Sequence, residues 1–346
     1  MTATIDEALE VLEDTGPEFG GGLANHGPMA AEALFALGRG DVAVPWAEHY
    51  KRRLRDRPES RNPIGADSWR GALGDGARLG DWVVFFEREL AAAPWREVLN
   101  EWVGRLAPGI ITAATHGVIR TGHAVRSLAA RETPGRLHEL AEGLGYWAAR
   151  YQTLPDDAPA AARGRLPSEA LPLVETLPNS GSRRVGLITE GLAQLDGLPS
   201  FSRAAGLVDT SIEPSRFVSD LTETFAGAYL ANAGDTLRVI TFIHSVTGPS
   251  AVRLLAPHLE PEVTRAALRY AWQAGAALYA AFGQSADAGV LDDAPGDAED
   301  LIDRAVATGD EHAIKFTEAC LREHALNPKP VYLAAALHAS GRLGAR

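Results

Sequence analysis

Apolar residues recur at intervals of three and four along most of this chain, and that spacing constrains the fold more than any other feature. Segments 5–14, 28–38, 79–92, 95–106, 109–131, 136–151, 214–232, 236–246, 262–282, 298–307, 311–324 and 330–341 each gather their apolar side chains on one face of a helix. None alternates with the period of two that a half-buried strand requires. Boundary residues agree. Pro28 follows Gly27 at a first helical position, Pro108-Gly109 separates two segments, Gly248-Pro249 closes another, and Asp310 is placed to cap the next after Gly309.

With 46% apolar and 23% charged residues, the chain has the means to bury a core. The expectation is an all-α protein: a single multi-helical bundle domain over residues 1–346 with a histidine-lined internal pocket. Two stretches break the pattern, near 154–186, with several prolines and an Asn179-Ser180-Gly181-Ser182 turn, and near 283–300, acidic and rich in Gly and Ala. Histidine-bearing helices fall on both sides of the first stretch, so both are read as irregular excursions from one domain. The most apolar runs, 225–246 and 263–282, are interrupted by Asp235, Arg238 and His244 and by Arg265 and Arg269, which argues against membrane spans.

The charge balance, 33 − 45 = −12, disfavours nucleic acid and anionic membranes as partners and suits a small molecule. One cysteine, Cys320, cannot form an internal disulfide, and the first residues are acidic with no apolar leader core, so the protein is expected in the cytoplasm. No Gly-Lys dipeptide or Gly-x-Ser-x-Gly occurs, which removes phosphate-loop and nucleophile-elbow chemistry. Gly74-Asp75-Gly76-Ala77-Arg78-Leu79-Gly80 has the wrong spacing for a dinucleotide loop and reads as a turn. No Glu stands three residues before a His, so any metal here must be held mainly by imidazoles.

Five of the ten histidines sit in apolar or glycine-flanked contexts: His26, His116, His123, His244 and His312. His116, Arg120 and His123 share one helical face, at i, i+4 and i+7. Each histidine alone is compatible with a hydrogen-bonded core residue, whereas several on separate helices suggest convergence on a metal or substrate. Lys315 stands one turn after His312 on an apolar stripe. The chain has only three lysines (Lys51, Lys315, Lys329) among 33 basic residues, so a lysine there suggests amine chemistry, although a snorkelling side chain would look the same. Buried, such an amine can lose its proton and act as a base or take up carbon dioxide as a carbamate, an oxygen ligand. A faint internal echo links Asn25-His26-Gly27, Thr115-His116-Gly117 and Ile243-His244-Ser245. The last two continue to Ala-Val-Arg at 124–126 and 251–253, with a one-residue offset.

Leu23-Ala24-Asn25-His26-Gly27-Pro28-Met29, Thr115-His116-Gly117-Val118-Ile119-Arg120-Thr121-Gly122-His123-Ala124-Val125-Arg126, Phe242-Ile243-His244-Ser245-Val246-Thr247 and Asp310-Glu311-His312-Ala313-Ile314-Lys315-Phe316 together resemble the questin oxidase-like family. That family includes fungal Baeyer–Villiger-type and ring-cleaving oxygenases of anthraquinone metabolism. The resemblance implies an all-helical oxygenase with a histidine-rich non-haem iron site. The ligands expected here are His26, His116, His244 and His312 with Lys315, deprotonated or carbamylated, on one Fe(II). His123 is expected behind the ligands rather than on the ion, too far along its helix from His116 to share it, and Arg120 is expected to anchor an acidic phenol or carboxylate or else to form a structural salt bridge.

The expected reaction is oxygen insertion or oxidative ring cleavage on an aromatic polyketide or quinone-like molecule, with dioxygen and external NADPH as reductant, since no flavin or nicotinamide fingerprint is present. A middle region shorter than in the fungal enzymes leaves room for a smaller substrate. The alternatives are a metal-dependent hydrolase using the same imidazoles and a non-catalytic helical binding protein.

Overall fold

The computed structural model describes residues 4–157, 164–178, 186–285 and 296–344. Residues 158–163, 179–185 and 286–295, the central parts of the two expected excursions, lie outside the described residues. The described chain is mostly helical, and the only regular strands among those residues, β1 (Glu18–Phe19) and β2 (Leu23–Ala24), form a hairpin of two residues a side. The all-α expectation holds.

Contacts divide the chain into two compact units, residues 1–153 with 254–263 and residues 154–253 with 264–346. The first contains α1 (Ile5–Leu12), α2 (Gly27–Ala36), α3 (Gly40–Lys51), α4 (Leu79–Ala92), α5 (Trp95–Leu106), α6 (His116–Ala130) and α7 (Pro134–Ala149). Helix α1 starts in a capping box between Thr4 and Glu7, and its Ile5, Ala8, Leu9 and Leu12, one face by their spacing, are buried. Helix α7 lies against both α4 and α6. Beside it, Trp82, Phe85, Phe86 and Trp102 form an aromatic cluster with centroids 4.8–5.9 Å apart, edge-to-face except for the stacked Trp82–Phe86 pair.

The second unit contains the short α8 (Pro167–Ala170) and α9 (Ile188–Leu192), followed by α10 (Pro214–Asn232), α11 (Thr236–Leu255), α12 (Pro261–Phe282), α13 (Ala298–Thr308), α14 (Glu311–Leu326) and α15 (Pro330–Leu343). The α11–α12 junction belongs to the first unit. Helix α15 packs on α10, α13 and α14.

Three of the longer helices differ from the expected pattern. Helix α3 carries Pro45 mid-helix, which hides it from a sequence reading, yet Ala43, Ala47 and Tyr50 form a buried face. Helix α11 does not stop at Gly248-Pro249 but runs to Leu255; the lost amide donor is offset by burial of Ala251, Val252 and Leu255 on the following turns. Helix α6 begins at His116 rather than near Gly109, because the backbone first makes a left-handed turn. The segment Thr236–His258 is long and apolar enough to cross a membrane by length and composition, but 78% of its apolar window is buried within the protein, as in a core helix.

Candidate metal-binding histidines

In the first unit, two buried imidazoles meet at helix starts. His26 is the N-cap of α2, and its backbone N–H donates to Tyr50 Oη at 2.9 Å. Asn25 holds the approach: its Nδ2 donates to Gly16 O (2.9 Å) and Thr15 Oγ1 (3.1 Å), while its Oδ1 accepts from the Gly27 amide (2.8 Å).

His116 opens α6 directly after three consecutive non-glycine residues in the left-handed region, Ala113 (φ 49°), Ala114 (φ 55°) and Thr115 (φ 72°). Each costs on the order of 1–2 kcal/mol relative to ordinary backbone, so packing must enforce the turn. Gly117 shows how: a Cβ there would meet Trp147 Cβ and Cγ at 2.8 Å, so only glycine lets the start of α6 press onto α7.

The turn presents the Ala113 carbonyl to His116 Nδ1. A carbonyl can only accept, so Nδ1 carries the ring proton and Nε2 the lone pair. That Nε2 lies 2.7 Å from His26 Nε2, with the rings edge-to-face at 81° and centroids 4.6 Å apart. Two ring nitrogens turned toward each other can share one proton or bind one cation.

The second unit holds a comparable pair. His244 sits mid-α11, 1% exposed, and its Nδ1 donates to Ile240 O at 2.7 Å, which again leaves the lone pair on Nε2. His312 lies in the first turn of α14, and its ring meets that of His244 at 80° with centroids 5.6 Å apart. Asp310 caps this helix, accepting the His312 amide at 2.8 Å, and its Oδ1 lies 3.4 Å from His312 Nδ1. Burial alone would raise the Asp310 carboxyl, but the His312 side chain and the amides of His312 and Ala313 outweigh it and hold it at about 2. A carboxylate behind an imidazole Nδ1 is a common outer-shell support for a metal-ligating histidine. Lys315, one turn on, is 1% exposed; burial pushes its ammonium down to about 7 against the pull of Glu311 and Asp310.

The other two expected site residues are engaged elsewhere. Arg120 forms a bidentate pair with Glu139 (Nε–Oε1 2.7 Å, Nη2–Oε2 2.8 Å) and lies 3.5 Å from Glu142, so of its two expected roles the geometry fits the salt bridge rather than the substrate anchor. His123 Nδ1 donates to Glu32 Oε2 at 2.7 Å, and Arg126 binds the same carboxylate through both oxygens. Sequence reasoning missed Asn25, Glu32 and the left-handed turn as parts of the site. Only Asn25 carried a local signal, by standing directly before a helix start.

A family model described as questin oxidase-like matches residues 23–195, half of the chain. The match takes in His26 and His116 and ends before His244, His312 and Lys315. No curated protein matches the chain.

Proposed function

Because the chain belongs to the questin oxidase-like family, we propose that it is a metal-dependent oxygenase in which His26, His116, His244 and His312 serve one transition-metal ion, Fe(II), with Lys315 as a further ligand or base. The observation that carries this reading is the tautomer imposed on the buried imidazoles. His116 and His244 each commit Nδ1–H to a carbonyl on their own chain segment, and His312 turns Nδ1 toward a carboxylate, which leaves unprotonated Nε2 atoms as ligands. All four residues are buried and each offers a ligand nitrogen. A donor set of neutral imidazoles suits iron, copper and zinc alike; the redox chemistry named by the family sets zinc aside, and of the two redox-active metals the proposal takes iron.

When bound, the metal would supply activation of dioxygen. The chain's own residues supply the rest: neutral imidazoles, a dry setting, and at Lys315 an amine that is partly uncharged near neutral pH. That amine can accept a proton from an acidic phenol, or add to carbon dioxide with loss of one proton to give a carbamate. The substrate proposed is a hydroxylated quinone or related aromatic polyketide. In the insertion reaction one oxygen atom enters a carbon–carbon bond beside a ring carbonyl, and the other leaves as water with a hydride from external NADPH and a proton from solvent.

The test is anaerobic loading with Fe(II), metal analysis, and oxygen uptake with NADPH over a panel of hydroxyanthraquinones and simpler quinols. The expected result is about one iron per chain, bound by the wild type and lost in both His116→Ala and His312→Ala. Metal-free protein after loading, or uptake unchanged in both variants, refutes the reading.

A further inference from the structure

Within the first unit, the contacts between α2 and α6 come in two rungs. The first is His26–His116. The second, six residues along α2 and seven to ten along α6, is Glu32, which accepts from His123 Nδ1 (2.7 Å) and from Arg126 Nε (2.7 Å) and Nη2. Both contacts advance in the same direction along both helices, so α2 and α6 run parallel, with the second rung beyond the imidazoles by about 9 Å of helical rise along α2 and about 10–15 Å along α6. Glu32 is 7% exposed, and its carboxyl is held below the usual range: burial would raise it, but Arg126 and His123 prevail.

The second unit repeats the arrangement with different residues. His244 and His312 make the first rung between α11 and α14. Nine residues along α11 and eleven along α14, Arg253 meets both oxygens of the fully buried Glu323 (Nε–Oε1 3.1 Å, Nη2–Oε2 2.8 Å), and Ser250 Oγ (2.8 Å) and Arg322 Nη1 (3.1 Å) also donate to Oε1. Arg126 and Arg253 are the arginines of the two Ala-Val-Arg triplets, so the echo in sequence corresponds to the same job in structure.

We propose that Glu32–Arg126 and Glu323–Arg253 are positioning pairs, each fixing the axial register of two parallel helices so that their histidines meet. Two packed helices can slide by about one turn into a displaced register that keeps much of their apolar contact. A buried bidentate ion pair cannot follow that slide, because separating it strands charge in a low-dielectric interior. Each pair thereby converts a sliding interface into a fixed one, and the imidazole contact is what that fixed register delivers. The inference rests on the metal reading for its functional meaning but not for its geometry.

The experiment compares Glu32→Gln, Glu323→Gln and Asp6→Asn. Asp6→Asn breaks another bidentate arginine pair of the first unit, Arg136–Asp6, between α1 and α7, which carry no candidate ligand. In metal-free protein, imidazole 15N resonances are expected to move for His26 and His116 in Glu32→Gln and for His244 and His312 in Glu323→Gln, with neither pair moving in Asp6→Asn. In Co(II) titrations, the two glutamine variants should bind the metal about 10–100-fold more weakly than the wild type, and Asp6→Asn less than about threefold more weakly. If either variant fails to fold, Arg126→Lys and Arg253→Lys, which keep the charge and lose the fork, replace it. Imidazole resonances unmoved in Glu32→Gln and Glu323→Gln, or moved equally by Asp6→Asn, overturn the inference. A wild type that binds no metal overturns the function proposed above and leaves the resonance comparison to decide this one.

Discussion

Ala113 gives its carbonyl to Nδ1–H of His116, three residues later, across a left-handed turn made without glycine. Strain of this kind persists only where surrounding packing over-determines it, and here it sets the tautomer of a buried imidazole.

Ala113→Gly is therefore expected to stabilise the fold by about 0.5 kcal/mol, because relief of the left-handed penalty slightly exceeds the added chain entropy of glycine. Ala113→Val should destabilise by more than about 1 kcal/mol. Urea denaturation measures both. A destabilising glycine together with a neutral valine would show that the turn carries no strain.

Gly117→Ala should destabilise by about 1–3 kcal/mol, the usual range for forcing a methyl group into a filled core. Its Cβ would enter the space of Trp147, whose indole Nε1–H donates to Gly109 O at 2.9 Å and so resists displacement. Trp147 fluorescence and denaturation midpoints report the two effects together; unchanged values in both would mean that α6 and α7 are free to separate.

These residues mark where the sequence was readable. The helical period survives any tertiary context, so α4, α5 and α10 appear at the expected positions. His26, His116, His244 and His312 stood out because a polar ring amid apolar neighbours must find a partner when buried. Glu32 could not stand out: six residues past His26 in an alanine-rich helix, it resembles any surface glutamate until α6 is laid beside it. The same limit affected Arg120, whose partners Glu139 and Glu142 lie on the next helix. The left-handed turn was hidden because Ala-Ala-Thr has no preference for positive φ, and only packing imposes it.

Lys315 predicts a pH dependence of stability in metal-free protein. Its amine titrates at about 7 in the fold against 10.5 in an unfolded chain, through burial opposed by Glu311 and Asp310 beside it. Between those values the unfolded chain holds a proton that the folded chain lacks, so the fold gains stability as pH rises from 7 toward 10.5. That stability is lost as pH falls, completely so below 7. The difference in unfolding free energy between wild type and Lys315→Met should slope by up to about 1.4 kcal/mol per pH unit in that window and flatten below it. A difference independent of pH would mean that Lys315 keeps its ordinary proton.

Glu142 carries the opposite sign. It is 2% exposed, and its carboxyl is raised above 4.5, first by burial and then by Glu139, against Arg120, His138 and Arg57 on the other side. Among the described residues neither Oε1 nor Oε2 has a hydrogen-bond partner, and Arg120, Arg57 and His138 face it at 3.5–3.6 Å. A raised carboxylic acid favours the fold while protonated, so its contribution is present at low pH and is lost as pH rises through the folded value. Glu142→Gln keeps the neutral shape at every pH. It should therefore be more stable than wild type at pH 8, on the order of 1 kcal/mol, and the gap should close as pH falls toward 4. Guanidinium denaturation across that range measures it. A variant less stable than wild type at pH 8 would mean that the ionised carboxylate, through Arg120 and Arg57, supports the fold after all.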